Sequence, residues 1–220
     1  MKKKIFDDGN QSMYETENED ELLLKFSDDL VDNRGHVKAS VKNKGAMAAR
    51  LAVHLYKVMA SYHFPVRFKS QKSEKELIVK KAELFPFYCA VTSNEDEEAT
   101  APQLDYVLIE ESGKRTVEAH ELIESEVVTS EQLAEIRRFV LKMNVVLKDF
   151  FQRRQLGLLG FRVQFGILPS GKIGLCSELT LDSCDIKDAG SRTKFTTSYI
   201  ISHQDDAAEL YETAQNKLLY

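Results

Sequence analysis

The sequence of 220 residues has no tryptophan, only three cysteines and four prolines, and no long apolar run. Cys89, Cys176 and Cys184 are odd in number and form no C-x-x-C motif, which argues against a disulfide framework and a structural zinc site. No apolar run approaches the roughly 20 residues that span a bilayer, and the N-terminus lacks the apolar core of a signal peptide. We therefore expect a cytoplasmic protein with reduced thiols and no membrane partner.

Acidic residues outnumber basic residues, 35 to 30. The formal net charge is -5, and acidic runs lie at residues 15–21 and 95–98, where they would repel a phosphate backbone. The five histidines are scattered, and no pair has the spacing of metal ligands. These features disfavour nucleic-acid binding and a histidine-based metal site.

The composition that remains, 43% hydrophobic and 30% charged, is typical of a globular protein that buries a sizeable core. Short apolar runs and polar turns before Lys42 indicate an antiparallel sheet. Apolar residues at three- and four-residue steps predict a helix from Gly45 to Tyr62, a long helix opened by a capping box at Thr129 and Gln132, and a C-terminal helix at residues 210–218. Alternation at residues 161–167, a turn, and a second strand at residues 173–179 predict a hairpin.

A change of pattern near residue 86 divides the chain. The strand predicted at Leu77 to Val79 runs into an extended connector at Leu84 to Val91, which Pro86 interrupts. This crossing predicts an N-terminal antiparallel sheet lobe with one helix (residues 1–86) and a C-terminal α+β lobe with the long helix and the hairpin (residues 87–220). Residues 93–103 are polar and acidic, and we predict a surface loop there.

Several motifs, in the same order along nearly the whole chain, resemble the SAICAR synthetase family of purine biosynthesis. The hairpin sequence FRVQFG-x4-GKIGLCSELTLDSCD is similar to that family's D-F-K-x-E-F-G, turn, D-E-x-S-P-D-x-x-R pattern. VKNKGAMAARLAVHLYKVM looks like its K-G turn and first long helix. ELIVKKAELFPF resembles its lobe connector, and SMYETENEDELLLKFSDD resembles its first strands.

The resemblance implies the family's fold, an α+β fold with two lobes. An antiparallel sheet forms the N-lobe, and a mixed α/β arrangement forms the C-lobe. It also implies an ATP-dependent ligase that phosphorylates the carboxylate of a carboxyaminoimidazole ribotide and joins aspartate to it, with ATP and Mg²⁺ as cofactors. Self-association into a homo-oligomer is a further expectation from the family.

Matching the family's motifs residue by residue gives the candidate site residues. Arg162, in place of a lysine, and Glu178 are the catalytic candidates, and Glu178 is also the candidate metal ligand. The candidates for binding the nucleotide are Gly9 in the first turn and Lys81, Glu83 and Leu84 in the connector. The candidates for binding the substrate are Lys44 and Gly45 at the helix entry, together with Asp182.

The same matching shows where the chain departs from the family. Where the family has its G-K-x-K loop, residues 8–12 are DGNQS: the lysines are absent, and Asn10 and Gln11 supply no charge for phosphate. The phosphate-binding R-x-x-A-x-G-S stretch is replaced by the acidic SNEDEEATA segment. On the hairpin, Gln164 and Ser177 replace two acids, which leaves Glu178 as one carboxylate where the motif has three. In the turn beyond, Asp185 replaces an arginine.

Two hypotheses follow. In the first, the chain is a catalytically impaired relative that keeps the scaffold as a nucleotide-binding or regulatory protein, with a purine nucleotide or another small molecule as its ligand. In the second, it is a divergent but active ATP-dependent ligase that uses Arg162, Lys44 and Glu178 in place of the full set. We favour the first, because the losses fall on charged contacts while the apolar helix faces are kept.

Overall fold

A computed structural model describes residues 3–32, 35–93, 101–191 and 193–219. In these residues the strands are β1 (Lys4–Asp7), β2 (Gln11–Glu15), β3 (Glu21–Phe26), β4 (Asp29–Val31), β5 (Val37–Ser40), β6 (Phe68–Ser73), β7 (Glu76–Lys80), β8 (Glu83–Thr92), β9 (Gln103–Glu110), β10 (Gly113–Val117), β11 (Leu156–Ile167), β12 (Ile173–Leu175), β13 (Cys184–Asp188) and β14 (Lys194–Phe195). The helices are α1 (Lys44–Ser61), α2 (Ala119–Glu124), α3 (Ser130–Gln152), α4 (Thr197–Ser202) and α5 (Ala207–Leu219), with a 3-10 turn at Gln204–Asp206.

The strands form two large sheets. The first has the order β1-β2-β3-β7-β6 and is antiparallel throughout. The second has the order β10-β9-β8-β11-β13-β14, with β12 paired to β11, and is also antiparallel. The predicted α+β, two-lobed fold is therefore confirmed. The lobe boundary at residue 86 stays a prediction.

Helix α1 joins the two sheets because it is apolar on two sides. Ala48, Ala49, Ala52 and Val53 pack in the core of the first sheet, while Leu51, Leu55, Tyr56 and Met59 belong to the larger core that extends to the C-terminus. Its first turn needs Gly45, since a Cβ there would lie 2.8 Å from the carbonyl oxygen of Phe26. The Gly45 amide donates to the Asp28 carboxylate at 2.9 Å, which satisfies one of the free N–H groups at the helix start.

The long helix α3 packs on the second sheet through one apolar face. It starts with the predicted capping box: the Thr129 hydroxyl accepts from the Gln132 amide at 3.2 Å, and the Gln132 side chain accepts from the Thr129 amide at 3.0 Å. The predictions of helices at α1, α3 and α5 are confirmed to within a few residues.

Two sequence predictions need correction. The extended connector at residues 84–91 is a long strand, β8, which lies between β9 and β11 in the second sheet despite Pro86. The return strand of the hairpin ends at Leu175 rather than residue 179. It ends because the amides of Cys176 and Ser177 both donate to the Gln164 carbonyl, which turns the chain out of the ladder and into a loop.

The three cysteines are free and buried. Burial raises the pKa of Cys89 and of Cys184 to about 12 and that of Cys176 to about 11. A raised pKa leaves little thiolate at neutral pH, and the thiolate is the reactive form.

We therefore expect Ellman's reagent to label none of the three cysteines in the native protein within minutes and all three after denaturation. Fast labelling of the native protein would contradict this packing.

Candidate functional site

A cleft of about 910 Å³ opens between the N-terminal strands and the second sheet. Its polar lining consists of Asp8, Asn10, Gln11, Asp32, Lys114, Arg162, Gln164, Ser177, Glu178, Thr180, Asp182, Ser183 and Thr197. Its apolar and aromatic lining includes Phe6, Phe26, Val31, Tyr88, Ile109 and Val163. A cavity of this size, lined by both polar and apolar side chains, has the dimensions of a small-molecule site.

The back of the cleft holds a buried lysine cluster. Lys44 is fully buried, and its Nζ lies 2.7 Å from Asp182 Oδ2 and 3.2 Å from Asn10 Oδ1. The other oxygen of Asp182 accepts from the Tyr211 hydroxyl at 2.9 Å. Burial and the Asp182 charge raise the pKa of Tyr211 well above its usual value, so this phenol stays a donor. The cluster joins the β1–β2 turn, α1, the loop after β12 and helix α5.

A second buried ion pair lies beside the first, between Arg67 and Glu178. The two side chains are each 4% exposed and are hydrogen-bonded to each other. Burial alone would lower the pKa of Arg67, but the charge and hydrogen bond of Glu178, together with Tyr56 and Cys176, outweigh burial and raise it. The Tyr56 hydroxyl donates to the Ser177 carbonyl at 3.1 Å and lies 3.5 Å from Glu178 Oε1. Glu178 therefore reaches the cleft wall with its charge already compensated.

The two positions at which family acids are replaced are used for local structure. The Ser177 hydroxyl accepts from the Gln164 amide at 2.8 Å, within the backbone turn that ends β12. The Gln164 side-chain amide donates to the Phe85 carbonyl at 2.8 Å. Both side chains line the cleft, but each holds strands together, and neither carries charge.

Arg162 lies on β11 with its guanidinium held from two directions. It donates to the Asp182 carbonyl at 2.7 Å and lies 3.5 Å from Asp185 Oδ2. Burial raises the pKa of Asp185, and Arg162 opposes part of that rise. The sequence predicted Arg162 as the cation that replaces the family lysine, and the structure places it on the cleft wall paired with the acid that replaces the family arginine.

Asp8 brings a further acid to the mouth of the cleft. Its carboxylate accepts from the amides of Asn10 and Gln11, which shapes the β1–β2 turn. Enclosure in the cleft, together with the charges of Glu178 and Asp182, raises the pKa of Asp8. The turn that the family uses with lysines thus presents a carboxylate here.

The predicted nucleotide-binding residues lie in two places. Gly9 occupies the β1–β2 turn with a φ of 86°, and a Cβ there would lie 2.9 Å from Val31 Cγ2. Lys81 lies between β7 and β8, and Glu83 and Leu84 begin β8; all three are exposed, and none is among the residues that line the cleft. The predicted substrate residues Lys44 and Asp182 do come together, but they contact each other, and Gly45 serves the helix start.

The residues that the structure describes contain no group of three or more His, Cys, Asp or Glu side chains that could hold a metal ion. Glu178, the predicted metal ligand, is paired with Arg67 instead. Of the acids in the hairpin motif that the family uses for metal, only Glu178 is kept, and its pairing with Arg67 leaves no free carboxylate of that motif for a Mg²⁺ ion. Residues 94–100, which replace the family's phosphate-binding stretch, lie outside the described residues.

Sequence reasoning missed Arg67, Tyr56 and Tyr211. Arg67 stands between apolar neighbours in a stretch without periodicity, so nothing local marks it as the partner of Glu178, which lies 111 positions away. Tyr56 and Tyr211 lie on apolar helix faces and read as core residues. The available signal was the need of a buried tyrosine hydroxyl for a hydrogen-bond partner.

Two antiparallel sheets that enclose a polar cleft place this chain in the class of two-lobed α+β proteins. Comparison with known proteins gives the family. The chain belongs to the SAICAR synthetase family of purine biosynthesis, whose model matches residues 9–199.

Individual relatives agree with this assignment. The chain is 27% identical over 221 residues to phosphoribosylaminoimidazole-succinocarboxamide synthase of Psychrobacter sp., an alignment that covers 94% of this chain and 92% of the relative. It is 28% identical over 204 residues to the protein of the same name from Nitratiruptor sp., covering 86% and 85%.

Solved structures show the same fold. A type-2 SAICAR synthetase in complex with ADP superposes with a TM-score of 0.90 at 21% identity, covering 99% of this chain and 97% of that one. SAICAR synthase from Saccharomyces cerevisiae in complex with SAICAR gives a TM-score of 0.81 at 13% identity, covering 99% and 94%. In the described part of this chain, no helix combines the length and apolar character needed to cross a membrane.

Proposed function

We propose that this protein is a SAICAR synthetase family member that binds a purine ligand in its cleft without transferring a phosphoryl group. The single observation that carries the proposal is the buried pairing of Glu178 with Arg67. Phosphoryl transfer needs cations and metal-bound carboxylates that neutralise the charge developing on the transferred group. Here the only acid left in the family's metal motif compensates an arginine of its own chain.

The residues around this pair support the same proposal. Gln164 and Ser177, which stand where the family has acids, make hydrogen bonds that fix strand geometry. Lys44, the best-kept candidate for an anion contact, is fully buried against Asp182. Asp8 adds a carboxylate in the turn that would face a triphosphate. Together these features reduce the charge complementarity of the cleft to Mg²⁺-ATP.

The purine class of the ligand is supported by the family and by a neighbour. A type-2 family member of the same fold is known in complex with ADP. The cleft of this chain keeps aromatic and apolar surface in Phe6, Tyr88 and Ile109 that a heterocyclic base requires. The ligand would then act as a signal or be carried, rather than be converted.

Isothermal titration with ATP and AMP, each with and without Mg²⁺, tests this proposal. We expect any purine-nucleotide binding to be unchanged by Mg²⁺, because Glu178, the acid kept from the family's metal motif, is paired with Arg67. ATP affinity that rises tenfold or more when Mg²⁺ is added would contradict the proposal and favour the alternative, an active ATP-dependent ligase. An active family member provides the matched control, in which the metal effect should appear.

A further inference from the structure

A second cavity, of about 320 Å³, borders the cleft at Arg162, which lines both. Its polar lining consists of Arg162, Asp185 and the hydroxyl side chains Thr92, Thr196 and Ser198. The rest is apolar and includes Val91, Leu159 and Phe161. Thr197, between two of these hydroxyl residues, lines the cleft instead, so the two cavities adjoin along this segment as well.

The polar groups of the second cavity are matched in charge. The Arg162 guanidinium lies 3.5 Å from Asp185 Oδ2 and donates to the Asp182 carbonyl. Thr196 and Ser198 contact each other through their hydroxyls at 3.2 Å, and each can still donate to or accept from a ligand. The cavity thus offers several neutral hydrogen-bonding groups beside one compensated ion pair, a combination suited to the hydroxyl groups of a sugar.

Most of the charged side chains around the cleft are also paired with opposite charges. Lys44 is paired with Asp182, Arg67 with Glu178, and Asp32 with Lys38 at 3.0 Å. Among the described residues that line the cleft, the charged groups outside these ion pairs are the Asp8 carboxylate and the Lys114 ammonium. The Lys114 ammonium lies 5.6 Å from the centre of the Tyr88 ring. The wall therefore carries no excess positive charge, whereas phosphate recognition depends on such an excess.

We propose that the second cavity is the subsite for the sugar hydroxyls of an uncharged purine nucleoside, and that the two cavities together prefer this nucleoside to its phosphorylated forms. This inference rests on the proposed function, since the base is assigned to the larger cleft. It adds the class of ligand and the residues that select it. Asp185 is the specificity-determining residue, because its carboxylate pairs at 3.5 Å with the Arg162 guanidinium, which would otherwise be available to a phosphate.

Titration of the unmodified protein with adenine, adenosine, AMP and ATP tests the inference. We expect adenosine to bind most tightly, about tenfold above adenine because of the sugar contacts, and at least as far above AMP and ATP. Equal affinity for adenine and adenosine would overturn the sugar subsite. Tighter binding of AMP or ATP than of adenosine would overturn the preference but leave the proposed function standing. No binding of any of the four would contradict both.

The variant Asp185→Asn tests the residue that sets the preference. It keeps the size of the side chain and removes the charge that compensates Arg162, so the ratio of AMP affinity to adenosine affinity is expected to rise about tenfold. Asp149→Asn is the matched control, because Asp149 pairs with Arg153 on the surface of α3, outside both cavities. An unchanged ratio in a folded Asp185→Asn protein, as judged by its thermal unfolding, would overturn the assignment of Asp185.

Discussion

Replacing Arg67 with methionine is expected to lower the free energy of unfolding by about 3–5 kcal/mol. The reason is the position of its partner: Glu178 is 4% exposed, and without Arg67 its carboxylate would be left buried without a counter-charge, with the Tyr56 hydroxyl 3.5 Å away. Methionine fills much of the arginine volume, so the loss reports the broken ion pair rather than a cavity. Urea denaturation followed by circular dichroism measures it.

Two further variants separate the ion pair from a general effect. Arg153→Met removes an arginine from an exposed pair with Asp149, and its expected cost is below about 1 kcal/mol. Combining Arg67→Met with Glu178→Gln removes both charges, so the double variant should be more stable than Arg67→Met alone. If Arg67→Met costs no more than Arg153→Met, Glu178 is not held in the way described here.

Replacing Lys44 with methionine is expected to cost about 3 kcal/mol, at the lower end of the range for buried pairs. Lys44 is fully buried, but Asp182 is 13% exposed and keeps the Tyr211 hydroxyl, which limits the loss. The change also removes the contact between Lys44 and Asn10, so the β1–β2 turn should move and ligand affinity should fall with stability. Thermal and urea unfolding, with titration of the ligand, follow both effects.

Lys57→Met is the matched control for this prediction. Lys57 lies on the same helix, α1, but it is exposed, so its replacement should change the free energy of unfolding by no more than about 0.5 kcal/mol. A Lys44→Met protein as stable as Lys57→Met, but with weakened anion binding, would show that Lys44 is a ligand contact rather than an internal link between the lobes.

The helices and the general order of strands could be predicted because their signals are local. The apolar spacing of α1, α3 and α5 and the capping box at Thr129 lie within single segments, and all were found. The strand at β8 was missed because a proline usually ends a strand. Here Pro86 lies at an irregularity of the β8–β11 pairing and before the pairing with β9 begins at Phe87, so it breaks neither ladder. The early end of β12 depends on the Gln164 carbonyl, which sequence spacing does not reveal.

Several residues of the candidate site could be predicted from the sequence, but the side chains that they contact could not. Family motifs located Arg162, Glu178, Lys44 and Asp182, and the structure places all four at the cleft or directly behind it. What the sequence left open is that their charges are compensated within the chain. Arg67 and Tyr211 supply part of that compensation from distant segments, and such pairings depend on tertiary packing.

If the cleft binds a purine ligand without phosphoryl transfer, the protein should not turn over the substrates of its family. The protein is incubated with ATP, Mg²⁺, carboxyaminoimidazole ribotide and aspartate, and ADP formation is followed beside an active family member as the positive control. We expect ADP formation no faster than in the protein-free reaction. ADP released together with the aspartate-ligated product, at a rate proportional to the concentration of this protein, would contradict it and establish an active ligase.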